Sequence, residues 1–93
     1  MTTEIDISRK QEAEDYKNKA NELFKNGEYN SAADMYTKAI ELFESAIYYS
    51  NRSFAYLKTE CFGYAFSDAT KAILKGITGV HQPTWHWVNS NWL

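Results

Sequence analysis

The sequence predicts an all-α fold of antiparallel helical hairpins, and three observations carry that reading. The tetrapeptide TKAI occurs at Thr37–Ile40 and again at Thr70–Ile73, an offset of 33 residues. At the same offset Tyr16 falls on Tyr49, Ala20 on Ser53, Lys25 on Lys58 and Ala32 on Ala65, so small residues meet small ones. Apolar residues are spaced three and four apart, the pattern of one helical face. Periods of this length are the signature of stacked helical units.

Each element follows from its own residues. Ser8 followed by Gln11 suggests a capping box opening a first helix over 9–26, with 1–8 left as a flexible N-terminus. Tyr16, Ala20, Leu23 and Phe24 form its apolar face, and the glycine of KNGEY ends it. A second helix is expected over 29–43 from Ala32, Met35, Tyr36, Ala39 and Ile40. Tyr49, Ser53, Tyr56 and Leu57 mark a third over 46–59; Cys61–Gly63 breaks the chain before a fourth over 62–75. Such short connections permit only antiparallel neighbours. Residues 9–43 and 46–75 thus read as two hairpins. Ala20, Ser53, Ala32 and Ala65 must be small, because the two helices of each hairpin approach closely there.

Composition narrows the function. The 93 residues allow one small domain, with 44% hydrophobic and 24% charged residues. A net charge of −2 favours neither nucleic acid nor an anionic membrane, so an acidic partner would need a local basic patch. The single cysteine, Cys61, precludes an intrachain disulfide. No apolar run reaches the roughly 18–20 residues of a membrane span, and the N-terminus lacks the features of a signal peptide. A cytoplasmic location, extending to the nucleus, is expected. His81, His86 and Cys61 match no standard zinc spacing, and no cofactor is expected. The NRS sequon at 51–53 lies inside an expected helix, which argues against its use. No nucleophile–base pair or phosphate-binding loop is visible, so an enzyme is not expected.

Residues 76–93 differ from the rest. They contain Pro83 and all three tryptophans, Trp85, Trp87 and Trp92, and no helical periodicity. They stand where a third hairpin would begin and read as an alternative ending of the chain. The tail is expected to fold back over the last helix as a makeshift cap. Without that cover, the outer face around Ala65, Ala69, Ala72, Ile73, Phe62, Phe66 and Ile77 is expected to drive self-association.

The pattern Ala20, Leu23, Tyr29, Ala32, Tyr36, Ala39 resembles a tetratricopeptide repeat, and 46–75 resembles a second. The stretch AIYYSNRSFAYLKTECFGYAFSDATKAI at 46–73 resembles the second repeat of the N-terminal domain of the serine/threonine protein phosphatase 5 family; residues 16–42 resemble the first. The resemblance implies an interaction module that binds the acidic C-terminal tails of heat-shock protein 90 type chaperones, ending in Glu-Glu-Val-Asp, and that restrains a phosphatase domain. It implies that Lys17, Asn21 and Asn51 bind the peptide carboxylates and that Phe24, Lys25, Phe54 and Lys58 line the groove. The family's second basic pair falls at 81 and 85, where this chain has His81 and Trp85. The alternative expectation is therefore a truncated form with impaired chaperone binding, acting only as a helical scaffold. The tyrosines Tyr36, Tyr48, Tyr49, Tyr56 and Tyr64 are expected mainly to pack, with some lining of the groove.

Overall fold

The computed structural model describes residues 4–78 as four α-helices: α1 (Glu4–Lys25), α2 (Tyr29–Leu42), α3 (Ala46–Lys58) and α4 (Phe62–Thr78). α1 packs on α2, α3 on α4, and α2 on α3, which gives two hairpins stacked through their middle pair. The Trp-rich tail, its expected folding back and the clamp positions His81 and Trp85 lie outside the described residues.

The small positions hold the hairpins closed. Ala20 and Ala32 have no exposed surface and pack with buried Tyr36, flanked by Leu23, Phe24 and Met35. A second cluster joins Ala13, Ala39 and Tyr48, so the first hairpin is already continuous with α3. In the second hairpin the equivalent pair is Ser53 and Ala65, and Ser53 Oγ donates to the Ala65 carbonyl at 2.8 Å. A buried hydroxyl thereby finds a partner where the first hairpin has only a methyl group.

The two intra-hairpin turns are the same structure. Glu28 N–H donates to Leu23 O at 2.9 Å and Gly27 N–H to Phe24 O at 3.0 Å. One repeat later, Cys61 N–H donates to Tyr56 O at 2.8 Å and Glu60 N–H to Leu57 O at 3.1 Å. Both are Schellman endings, which place one residue in the left-handed region. Gly27 fills it with φ 82°, and Glu60 with φ 61°. The expected break at Cys61–Gly63 therefore belongs at Thr59–Cys61, and Gly63 lies in the first turn of α4.

Two further boundaries move. α1 begins at Glu4 and not at residue 9, so residues 4–8 are helical and Ser8 caps nothing. Gln11 donates to Asp15 at 3.3 Å in place of a capping box. Glu4 and Asp6 supply negative charge in the first turn, where it complements the helix dipole. α4 runs past residue 75 to Thr78. Of the expected outer face, Phe62, Phe66 and Ile73 are exposed, Phe66 at 76%, and Tyr64 and Leu74 are exposed with them, whereas Ala65 and Ala72 are buried. The helix turns its small residues to α3 and its large ones outward.

Candidate functional site

α1 and α3 occupy equivalent places in the two hairpins, and their inner faces share a groove of about 600 Å³. Its lining is Asn21, Phe24 and Lys25 from α1, Tyr36 from α2, and Asn51, Phe54 and Lys58 from α3. Six of these seven side chains were expected from the sequence.

The groove is organised around two amides and a phenol. Asn51 Nδ2 donates to Asn21 Oδ1 at 3.5 Å, and the Tyr36 hydroxyl donates to the same oxygen. With Oδ1 saturated by two donors, the Nδ2 of Asn21 is the atom left to donate into the groove. Burial pushes the Tyr36 phenol up, with the Asn51 amide beside it pulling the other way. Tyr36 therefore stays a protonated donor that fixes which way Asn21 faces. This orienting role was not legible in the sequence, where Tyr36 reads as packing with some groove lining.

The walls are amphipathic. Phe24 meets Tyr29 edge to face at a centroid distance of 5.0 Å. Phe54 is exposed toward solvent. Lys58 Nζ lies 5.9 Å from the Tyr29 ring centroid, and Lys25 pairs with Glu22 at 3.3 Å. The groove thus offers amide donors at its floor, apolar walls and two ammonium groups, which together suit a short peptide carrying carboxylates.

Lys17, the remaining expected site residue, is not part of this lining. It lies one turn before Asn21, and its ammonium is 3.0 Å from Glu14 Oε1. Glu14 Oε2 accepts from the Tyr48 hydroxyl at 2.5 Å. The Tyr48 hydrogen bond, and then Lys17, hold the Glu14 carboxyl below its ordinary range; burial and Glu14 push the Tyr48 phenol up.

Behind the groove, the stacking of the hairpins is pinned by Arg52. Its Nε and Nη2 each lie 2.7 Å from an Asp68 carboxylate oxygen, and Nη1 donates to Thr37 Oγ1 at 2.9 Å. The guanidinium also sits 5.7 Å from the Tyr49 ring and 5.6 Å from the Tyr56 ring. One side chain of α3 therefore ties α2 to α4. Sequence reasoning gave Arg52 no role.

Among the described residues no cluster of His, Cys, Asp and Glu could hold a metal ion, and no helix is long and apolar enough to cross a membrane.

The tetratricopeptide repeat family matches residues 13–45. Human serine/threonine-protein phosphatase 5 is 58% identical over 62 residues, 66% of this chain and 12% of its own length. The Arabidopsis thaliana protein of the same name is 54% identical over 56 residues, 59% of this chain and 10% of its length. Translocon at the outer membrane of chloroplasts 64 from Pisum sativum is 41% identical over 68 residues, 72% of this chain and 12% of its length. The matched segment thus spans about an eighth of these curated relatives or less, and in serine/threonine-protein phosphatase 5 it covers the repeat region and not the catalytic domain. No solved structure gives a significant match. Residues 13–45 are a tetratricopeptide repeat, and the chain is a helical protein–protein interaction module related to the N-terminal repeat region of serine/threonine-protein phosphatase 5.

Proposed function

We propose that the groove binds the acidic carboxyl terminus of a partner protein, with heat-shock protein 90 type chaperones as the partner class and the cytoplasm and nucleus as the setting. The observation that supports this most is the meeting of Asn21 and Asn51, thirty residues apart in sequence, on the floor of one groove. Amide donors preset by Tyr36 receive a carboxylate without reorganising, which limits the ordering cost of binding. Phe24 and Phe54 cover an apolar side chain next to the terminus, and Lys25 and Lys58 attract acidic residues before it. Titration calorimetry of the full chain with a peptide ending in Glu-Glu-Val-Asp, free or amidated at its carboxyl end, tests this. The free peptide binds, and amidation weakens it about tenfold or more, a loss of about 1.4 kcal/mol. Equal affinity for both peptides sinks the reading.

A second reading rests on α4. Phe62, Phe66 and Ile73 are spaced as one helical stripe and are exposed. Self-association through this stripe makes the chain a scaffold irrespective of the groove. A mass that stays monomeric with rising concentration, by sedimentation equilibrium, removes that reading.

A further inference from the structure

The apolar stripe of α4 has the same spacing read from either end. Phe62, Phe66, Ala69 and Ile73 follow at intervals of four, three and four residues, so they share one face of the helix. Phe62, Phe66 and Ile73 are 61%, 76% and 62% exposed, and Ala69 between them is partly buried. One repeat earlier the same face is covered by a helix. Counted back 33 residues, the four positions are Tyr29, Ala33, Tyr36 and Ile40 of α2, on which α3 packs. Tyr29 lies under Lys58, Tyr36 borders Asn51 in the groove, Ile40 packs on the cluster containing Tyr48, and Ala33 is buried. No helix follows α4 among the described residues, and α4 of a second copy carries a stripe that fits.

We propose that two copies of the chain pair α4 against α4, antiparallel about a two-fold axis level with Ser67 and Asp68, so that Phe62 meets Ile73 of the second copy and Phe66 meets its Ala69. The proposal rests on the self-association reading above and gives it a direction and a register. Reversing one helix sets the large Phe66 against the small Ala69 twice, a knob against a hollow. A parallel pair would set Phe66 on Phe66 and Ala69 on Ala69, a clash beside a void. The antiparallel contact is isologous, so it uses up both faces and stops at two chains. Six side chains about two-thirds exposed, at roughly 150–250 Å² each, bring together roughly 600–900 Å² of apolar surface, which suits a weak, concentration-dependent dimer and not an obligate one.

Sedimentation equilibrium of the full chain, of Phe66→Glu, of Ala69→Lys and of an equimolar mixture of the two variants tests this. The parent chain is expected to pass from one-chain to two-chain mass over roughly the micromolar to hundred-micromolar range, and to go no higher. Each variant alone places two uncompensated charges in the seam and is expected to dimerise at least about tenfold more weakly. In the mixture the carboxylate of one variant meets the ammonium of the other, while the second half of the seam keeps the Phe66–Ala69 contact, so the two-chain mass is expected to return. Weakening without recovery on mixing overturns the antiparallel register and leaves self-association through α4 standing. Variants that dimerise as well as the parent place the contact elsewhere and overturn both. A parent chain that stays monomeric, as it would if residues 79–93 covered the stripe, also overturns both. Growth beyond two chains overturns the proposal. Circular dichroism checks that the variants fold. Should Ala69→Lys lose its melting transition, Phe62→Glu mixed with Ile73→Lys puts the same question to the other pair, and failure to recover there overturns the proposal equally.

Discussion

Arg52 closes on Asp68 with two hydrogen bonds of 2.7 Å, and the carboxylate side chain is only 3% exposed. The two residues are sixteen apart, on α3 and α4, and Arg52 reaches Thr37 on α2 with its remaining nitrogen. The hydrogen bonds to Asp68 hold the guanidinium above its already high pKa against burial. Removing one partner strands the other charge away from water. Asp68→Ala is expected to cost about 3–5 kcal/mol, against a total stability of about 5 kcal/mol for a chain this small, and to leave it largely unfolded. Urea unfolding followed by circular dichroism checks this. A midpoint equal to that of the parent chain would show that the pair does not staple the helices.

The repeated turn makes a prediction with two opposite signs. Gly27 and Glu60 hold the same left-handed position, 33 residues apart, with φ 82° and 61°. Gly27→Ala forces a side chain into that region and is expected to lower stability by about 1 kcal/mol. Glu60→Gly relieves the equivalent strain and is expected to be neutral or to raise stability by up to about 1 kcal/mol, since the more flexible unfolded chain offsets part of the gain. Thermal melting of both variants measures it; a fall of similar size for both contradicts the account of the turn.

Packing at the hairpin crossing admits no growth. Ala20 and Ala32 are wholly buried where α1 meets α2. Ala32→Leu is expected to cost about 1–3 kcal/mol through overpacking, even though leucine favours helix. The same substitution at exposed Ser31 should leave the melting temperature within about a degree or two.

Alkaline pH loosens the contact between the hairpins. Burial first, and then the Glu44 hydrogen bond, push the Tyr49 phenol from 10.0 up to about 12. Tyr48 is raised as well, by burial and Glu14. The folded chain holds both protons more tightly than the unfolded chain, so their contribution is complete below pH 10 and is lost as pH rises toward 12. Glu14 and Glu44 have the opposite sign: their pKa values lie below 4.5, and what they contribute is lost as pH falls below that value. Melting temperature against pH should therefore decline at both ends, with tyrosinate absorbance rising together with unfolding on the alkaline side.

How much of this was legible depends on the range of the interaction. Ala20, Ala32, Ser53 and Ala65 announced the hairpin crossings because helix approach filters for small side chains at fixed spacing. The groove residues were legible only through the resemblance to the repeat family, whose first helices line a groove; the 33-residue offset placed α1 and α3 in equivalent positions. The Arg52–Asp68 pair was not, since an exposed ion pair and a buried one look alike until the helices are packed. Glu60 was hidden because the turn imposes its left-handed backbone on a residue that does not prefer it. The helical residues 4–8 escaped because Ser8 and Gln11 read as a capping box, whereas Glu4 and Asp6 already favour a helix start ahead of them. On the outward face of α4, Phe62, Phe66 and Ile73 were legible from their spacing, whereas Ala65 and Ala72 turn inward and Tyr64 and Leu74 outward.

The central claim is that the Asn21–Asn51 pair is the receptor for a carboxylate. It is tested most directly by Asn51→Ala, titrated by calorimetry with the acidic peptide bearing a free terminus. Asn51 is only partly buried and donates one long hydrogen bond, so the fold should be retained and the melting temperature little changed. Loss of a charge-assisted hydrogen bond predicts binding weaker by about 1–3 kcal/mol, roughly five- to more than a hundredfold. An affinity equal to that of the parent chain, in a variant that remains folded, would contradict the account.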